Sequence, residues 1–153
     1  MMASSHVVVA AACWTLAAGR LGLPADAGTL GLAAFGSLLP DIDHPKSWVG
    51  RRLPMISHPV SAIFGHRGIT HSLLAVAGCV AALRWEGWGW HALPLWVGYL
   101  SHLMADALTP AGVPFLWPWR RTFGLRLVRT GSFLEWLVAV AAALVVGAPH
   151  VSV

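Results

Sequence analysis

Five apolar stretches, at about 7–19, 27–39, 72–84, 92–108 and 133–148, push most of the ionisable residues of this chain into the segments between them. That division leaves little choice of fold. Alanine and leucine dominate the stretches, so each reads as a helix. Pro24, Pro40, Pro94, Pro110 and Pro149 stand near the breaks, where a residue without an amide hydrogen ends a helix. The expected fold is all-α, a bundle of about five short helices with a polar metal site at one end.

The bundle is expected to be integral to a membrane. Hydrophobic residues make up 57% of the sequence and charged residues 10%, against roughly 25% charged in ordinary soluble domains. Nine tryptophans suit side chains that anchor at a lipid–water interface. Several stretches fall short of the roughly 20 residues a spanning helix needs. Either their flanks extend them, or some helices enter the bilayer without crossing it. A soluble helical bundle with an unusually apolar core is the competing reading. The length of 153 residues points to one domain, 1–153. The opening MMASSHVVVAAACW lacks the basic segment of a secretory signal, so the first helix is expected to remain in the mature chain, and His6 with it.

If all five helices cross, the loops alternate sides. The side with the N-terminus and the 40–71 and 109–132 loops carries Lys46, Arg51, Arg52, Arg67, Arg120, Arg121, Arg126 and Arg129, and the other side Arg20 and Arg84. That bias places the first side in the cytoplasm. Because the basic residues sit in short loops, the net charge of +4 argues for topology and not for nucleic acid. Cys13 and Cys79 lie inside apolar runs, so neither a disulfide frame nor a paired-cysteine zinc motif is available.

The candidate ligands fall on the same side. His6 opens the first helix. Asp41, Asp43 and His44 of LLPDIDHP follow the second, and His66 and His71 of GHRGITHS precede and open the third. His102 and Asp106 of SHLMAD end the fourth, and Glu135 of TGSFLEW begins the fifth, while His91 and His150 map to the opposite side. Each piece alone has a plainer reading: a solvated turn, a helix-end hydrogen bond, a first-turn carboxylate favoured by the helix dipole. Their convergence favours metal.

Local geometry is expected to serve that end. Residues before proline are pushed towards extended backbone, which would set Asp41 and Asp43 on one side of the segment and His44 on the other. Two adjacent carboxylates repel unless a cation lies between them. Thr70 is the expected cap of the third helix, with His71 in its first turn and His66 reaching in from the loop. His102 and Asp106, four apart, share one helical face. Arg67 is a natural phosphate clamp.

A histidine and carboxylate set without thiolates suits Zn²⁺ or Mn²⁺. Seven to nine ligands exceed one tetrahedral site, so two or more ions are expected. Paired ions acidify a bridging water and clamp the oxygens of a phosphoester under attack.

LLPDIDHP at 38–45, GHRGITHS at 65–72, GYLSHLMADALTPAG at 98–112 and the TGSFLEW segment, with an early His6, resemble the YdjM family of inner-membrane metal-dependent hydrolases. The ordered set spans nearly the whole chain. More faintly, the order is similar to that of helical zinc-dependent phospholipase C proteins, which implies a multi-metal phosphoesterase-like site. The function expected is a membrane-bound hydrolase that cleaves a phosphoester of a lipid or amphiphile with a metal-activated water. Arg67 is the expected catalytic residue, and Arg51 and Lys46 are expected to steady the phosphate. The alternative is a non-catalytic metal-binding, haem-binding or transport protein of the membrane. Haem would need axial histidines and not the aspartates, and a transporter would carry ionisable groups deep within its spans.

Overall fold

The structure, a computed structural model, describes residues 1–65, 67–119 and 121–147, so His66, Arg120 and His150 lie outside the described residues. Among the described residues there are six helices and no strand: α1 (Ala3–Leu21), α2 (Ala27–Leu38), α3 (Pro54–Phe64), α4 (Leu73–Trp85), α5 (Leu93–Ala107) and α6 (Phe133–Gly147). Five of them are the apolar stretches. α3 was not expected, because PMISHPVSAIF mixes two prolines with polar residues. Pro54 occupies the first turn, where its missing N–H is not needed, and Pro59 lies inside the helix. Ser57 is the residue that α3 buries. It is a surface helix, resting on the turn at 40–43.

The helix ends follow local chemistry. Gly22 closes α1 at φ 64, in the left-handed region open to glycine, and its N–H bonds the Ala18 carbonyl. Asp26 caps α2, its carboxylate accepting the Thr29 N–H at 2.8 Å. That bond holds the Asp26 carboxyl below its ordinary range.

Two local expectations are corrected. Residues Pro40–Asp43 form a 3-10 turn and not an extended segment, since a proline fits the first position of a helical turn as well as it ends one. His44, ahead of Pro45, is extended at φ −114, as expected. The cap of α4 is Ser72 and not Thr70: the Ser72 hydroxyl accepts the Ala75 N–H, and His71 ends a separate 3-10 turn, Ile69–His71.

α1 packs against α2, α5 and α6, and α2 against α5. Trp14 and Ala18 of α1 and Ala33 of α2 form one buried cluster, with Leu30 and Leu93 beside them. Tyr99, Leu103 and Val113 form another. Glycine sets the closest approach. A Cβ on Gly98 would stand 1.9 Å from the Ala33 carbonyl oxygen, and one on Gly36 2.1 Å from that of Leu95. α2 and α5 therefore touch backbone to backbone.

No described helix is long and apolar enough to cross a membrane. α1, at 19 residues, comes to about 28 Å at 1.5 Å per residue, and the others are shorter. The five crossings expected from the charge bias are thus not shown. The outer surface is nonetheless apolar: Met55, Ile63, Trp85, Phe133 and Leu144 are each 70–89% exposed.

Candidate metal centre

The packing brings the start of α1, the end of α2, the start of α4, the end of α5 and the start of α6 to one end of the bundle. His6, His71, His102 and Asp106 meet there, each at most 2% exposed. His91 lies in the turn at the opposite end, between α4 and α5, stacked on Trp90 at 3.9 Å.

His102 is the hub. Its Nδ1 lies 2.6 Å from the Ser37 carbonyl oxygen. A carbonyl only accepts, so Nδ1 carries the proton and Nε2 holds a lone pair. That Nε2 has no hydrogen-bond partner among the described residues. It faces Asp41 Oδ1 at 3.9 Å and Asp106 Oδ2 at 3.8 Å. A buried acceptor facing two carboxylates is costly unless a cation joins them. Bonds of about 2.0–2.2 Å to each atom would span such gaps.

Two groups of three have ligand atoms within 4.8 Å of one another: His6, His102 and Asp106, and Asp41, His71 and His102. They share His102, whose single lone pair serves one ion at a time. Among the described residues, His102 would hold a divalent ion at the hub, with Asp41, His71, His6 and Asp106 as its surroundings. The expected second ion has no complete set of its own among the described residues.

The remaining residues hold these ligands in place. Asp43, fully buried, accepts the Gly68 N–H at 3.2 Å and the Thr70 hydroxyl hydrogen, and faces His71 Nδ1 at 3.2 Å. That contact turns His71 Nε2 towards Asp106 Oδ2, 4.0 Å away. A carboxylate behind a histidine fixes its tautomer and ring angle. Asp43 thus supports His71 through Oδ2, the oxygen that makes all three of these contacts. Asp106 Oδ1 receives the Met1 amino nitrogen at 2.5 Å and lies 3.3 Å from His6 Nε2. Arg67 reaches Asp106 Oδ2 and the Gly112 carbonyl. Its backbone sits at φ 56, a left-handed conformation uncommon for arginine.

Glu135 is fully buried but belongs to neither group. Its oxygens accept the N–H groups of Met2 and Gly131, each at 2.6 Å, which ties the start of α1 to the loop before α6. His44 is half-buried beyond the 3-10 turn and likewise belongs to neither group. Arg51 and Lys46 lie on the surface next to that turn.

Burial, then the stacked His6 ring at 3.7 Å, hold His102 well below its ordinary value of 6.5. Burial works against ionisation of Asp106, but His6, His102 and the Met1 amino group outweigh it and depress its value. A depressed histidine adds stability above its unfolded value and loses it as pH falls. In chelator-treated protein, stability is expected to drop as pH is lowered below 6.5, with a slope of up to about 1.4 kcal/mol per pH unit from this one group. Thermal melts across pH 5–8 of the unaltered and His102→Ala proteins check it: equal slopes would contradict it.

Sequence reasoning missed the Ser37 and Gly112 carbonyls, whose side chains carry no ligand signal. Gly98, His102 and Asp106, each four residues from the next, do form a readable stripe: a glycine on the ligand face marks where another backbone must come close.

The profile of the YdjM inner membrane protein family matches residues 1–152. The chain is 50% identical to the inner membrane protein YdjM of Escherichia coli (strain K12) over 117 residues, 71% of this chain and 60% of that protein. The Shigella flexneri protein of the same name matches equally. The uncharacterized protein YvsG of Bacillus subtilis (strain 168) is 41% identical over 110 residues, 69% of this chain and 67% of that protein. The match thus spans about 60% of the length of the first two relatives. The fainter likeness to zinc-dependent phospholipase C proteins finds no support in these matches. No solved structure matches the chain.

Proposed function

The chain belongs to the YdjM inner membrane protein family, and from that premise we propose that it is a membrane-bound, metal-dependent hydrolase acting on a phosphoester of a lipid or amphiphile. The observation that carries this reading is His102 Nε2, buried, deprotonated, and aimed at two carboxylates. Its donor set of imidazoles and carboxylates without thiolate suits Zn²⁺ or Mn²⁺. His102 would hold the ion, with His6 and Asp106 or with Asp41 and His71.

A divalent ion held there supplies Lewis acidity for a phosphoryl oxygen and makes water a nucleophile near neutral pH. The residues supply the rest. Ser37 and Asp43 fix the imidazole orientations. Asp41, 18% exposed, lies on the accessible side of the cluster. Arg67, 19% exposed and paired with Asp106, is a cation at the centre that would turn to an incoming phosphate. It borders a cavity of about 320 Å³ between Phe64, Pro114 and Trp117. The inner-membrane family and the exposed apolar side chains favour a substrate that arrives along the bilayer. The Lys and Arg bias of the loops favours the cytoplasmic face.

A second reading, a non-catalytic metal-binding protein, is favoured by one observation: His6, His71, His102 and Asp106 are almost wholly enclosed. Incubation of the purified protein with Zn²⁺ or Mn²⁺ and a panel of phospholipids and isoprenoid phosphates separates the two. Metal-dependent product release, abolished by Asp106→Ala, is expected. Stoichiometric metal with no release across the panel would leave the binding protein.

A further inference from the structure

A groove of about 600 Å³ lies beside the metal centre, walled by Met2, Ser4, Val7, Leu38, Trp48 and Arg51. Leu38 and Trp48 also line a second, apolar recess of about 320 Å³, together with Phe35, Ile42 and Leu53. Volumes of this order enclose small organic ligands. The groove shares two helices with the centre. Ser4 and Val7 of α1, with Met2 at its N-cap, flank His6, and Leu38 follows Ser37, the residue that orients His102.

Its charge is one-sided. No carboxylate lines either space, and Arg51 is the charged residue in the wall of the larger one. The two neighbouring arginines differ. The Arg52 guanidinium lies 3.7 Å from the centre of the Trp48 ring and donates to the Trp48 carbonyl at 3.0 Å. The Arg51 guanidinium has no hydrogen-bond or ion-pair partner among the described residues. A free cation at the rim of an apolar groove complements a molecule with an anionic head and a hydrocarbon tail.

We propose that this groove binds the hydrocarbon chain of a long-chain phosphate ester, with the phosphate on Arg51 beside the metal centre. The choice of phosphate as head group rests on the hydrolase reading, whereas binding itself needs no turnover.

The full chain in lipid nanodiscs, stripped of metal with chelator, is photolabelled with a dodecyl phosphate carrying a diazirine at its chain end. Label is expected on peptides containing Val7, Leu38 or Trp48, competed by unlabelled dodecyl phosphate and not by dodecanol. Arg51→Gln removes the head-group contact and Val7→Trp fills the groove. Each is expected to cut labelling at least tenfold, the loss that one charge-assisted hydrogen bond or a blocked site entails. Circular dichroism checks the fold of both, and Arg51→Gln decides alone if Val7→Trp misfolds. Label confined to the outward faces of α3 and α6, or indifferent to Arg51→Gln, would overturn the proposal. The two readings fail separately. Groove labelling without product release sinks the hydrolase and keeps the groove. Metal-dependent release without groove labelling does the reverse.

Discussion

Replacing His102 with alanine is expected to reduce bound Zn²⁺ or Mn²⁺ from about one ion per chain to near zero after dialysis. The loss should exceed that from any other single ligand, because both three-residue groups pass through His102. Without its Nε2, His6 with Asp106 and Asp41 with His71 are left as pairs, fewer than the three protein ligands that hold a catalytic zinc. Glu135→Gln makes the contrast. That carboxylate is taken up by two backbone N–H groups, so the substitution is expected to cost stability and to leave metal content near that of the unaltered chain. Elemental analysis of the purified variants decides between them. Undiminished metal in His102→Ala, or no metal in the unaltered protein after loading, would remove the centre from this end of the bundle.

Substituting Gly98 with alanine is expected to do comparable damage without touching a ligand. Its new Cβ would stand 1.9 Å from the Ala33 carbonyl oxygen, and backbone on backbone leaves no side chain to give way. α2 and α5 must separate. Overpacking of this kind costs roughly 1–3 kcal/mol. Separation also pulls the Ser37 carbonyl from His102 Nδ1, now 2.6 Å away, and freeing a metal-binding histidine from its support weakens metal affinity about 10–100-fold. Gly36→Ala meets the Leu95 carbonyl from the other side and should behave alike. Gly31→Ala is the control. It lies on the same α2, and nothing stands within 4 Å of its Cβ, so alanine there is expected to be neutral or to stabilise by up to about 1 kcal/mol. Thermal melts paired with metal titrations test the series. Equal behaviour of Gly31→Ala and Gly98→Ala would refute the close-contact argument.

The five apolar helices were legible because each is a local matter: alanine and leucine runs favour helix, and proline or a left-handed glycine stops it. α3 was not, since its apolar residues are thinned by serine, histidine and proline and its face is mostly exposed. Membrane character was legible in composition and agrees with the family, whereas crossing depends on helix length, and no described helix reaches it. Among the candidate ligands, spacing four apart placed His102 and Asp106 together, as found. No spacing could say that Asp43 would hold the His71 ring through Oδ2.

The sequence by itself led to the expectation that histidines and carboxylates from distant segments would gather at one end, because successive apolar helices run back and forth, and His6, Asp41, His71, His102 and Asp106 do gather there. Only the tertiary structure decided their ranks. Hub, ligand, support and tie are set by which atom faces which, and that depends on the depth to which Gly36 and Gly98 let two backbones sink together. About an ångström or less separates a metal bond from a hydrogen bond, and a one-dimensional pattern carries no information at that scale.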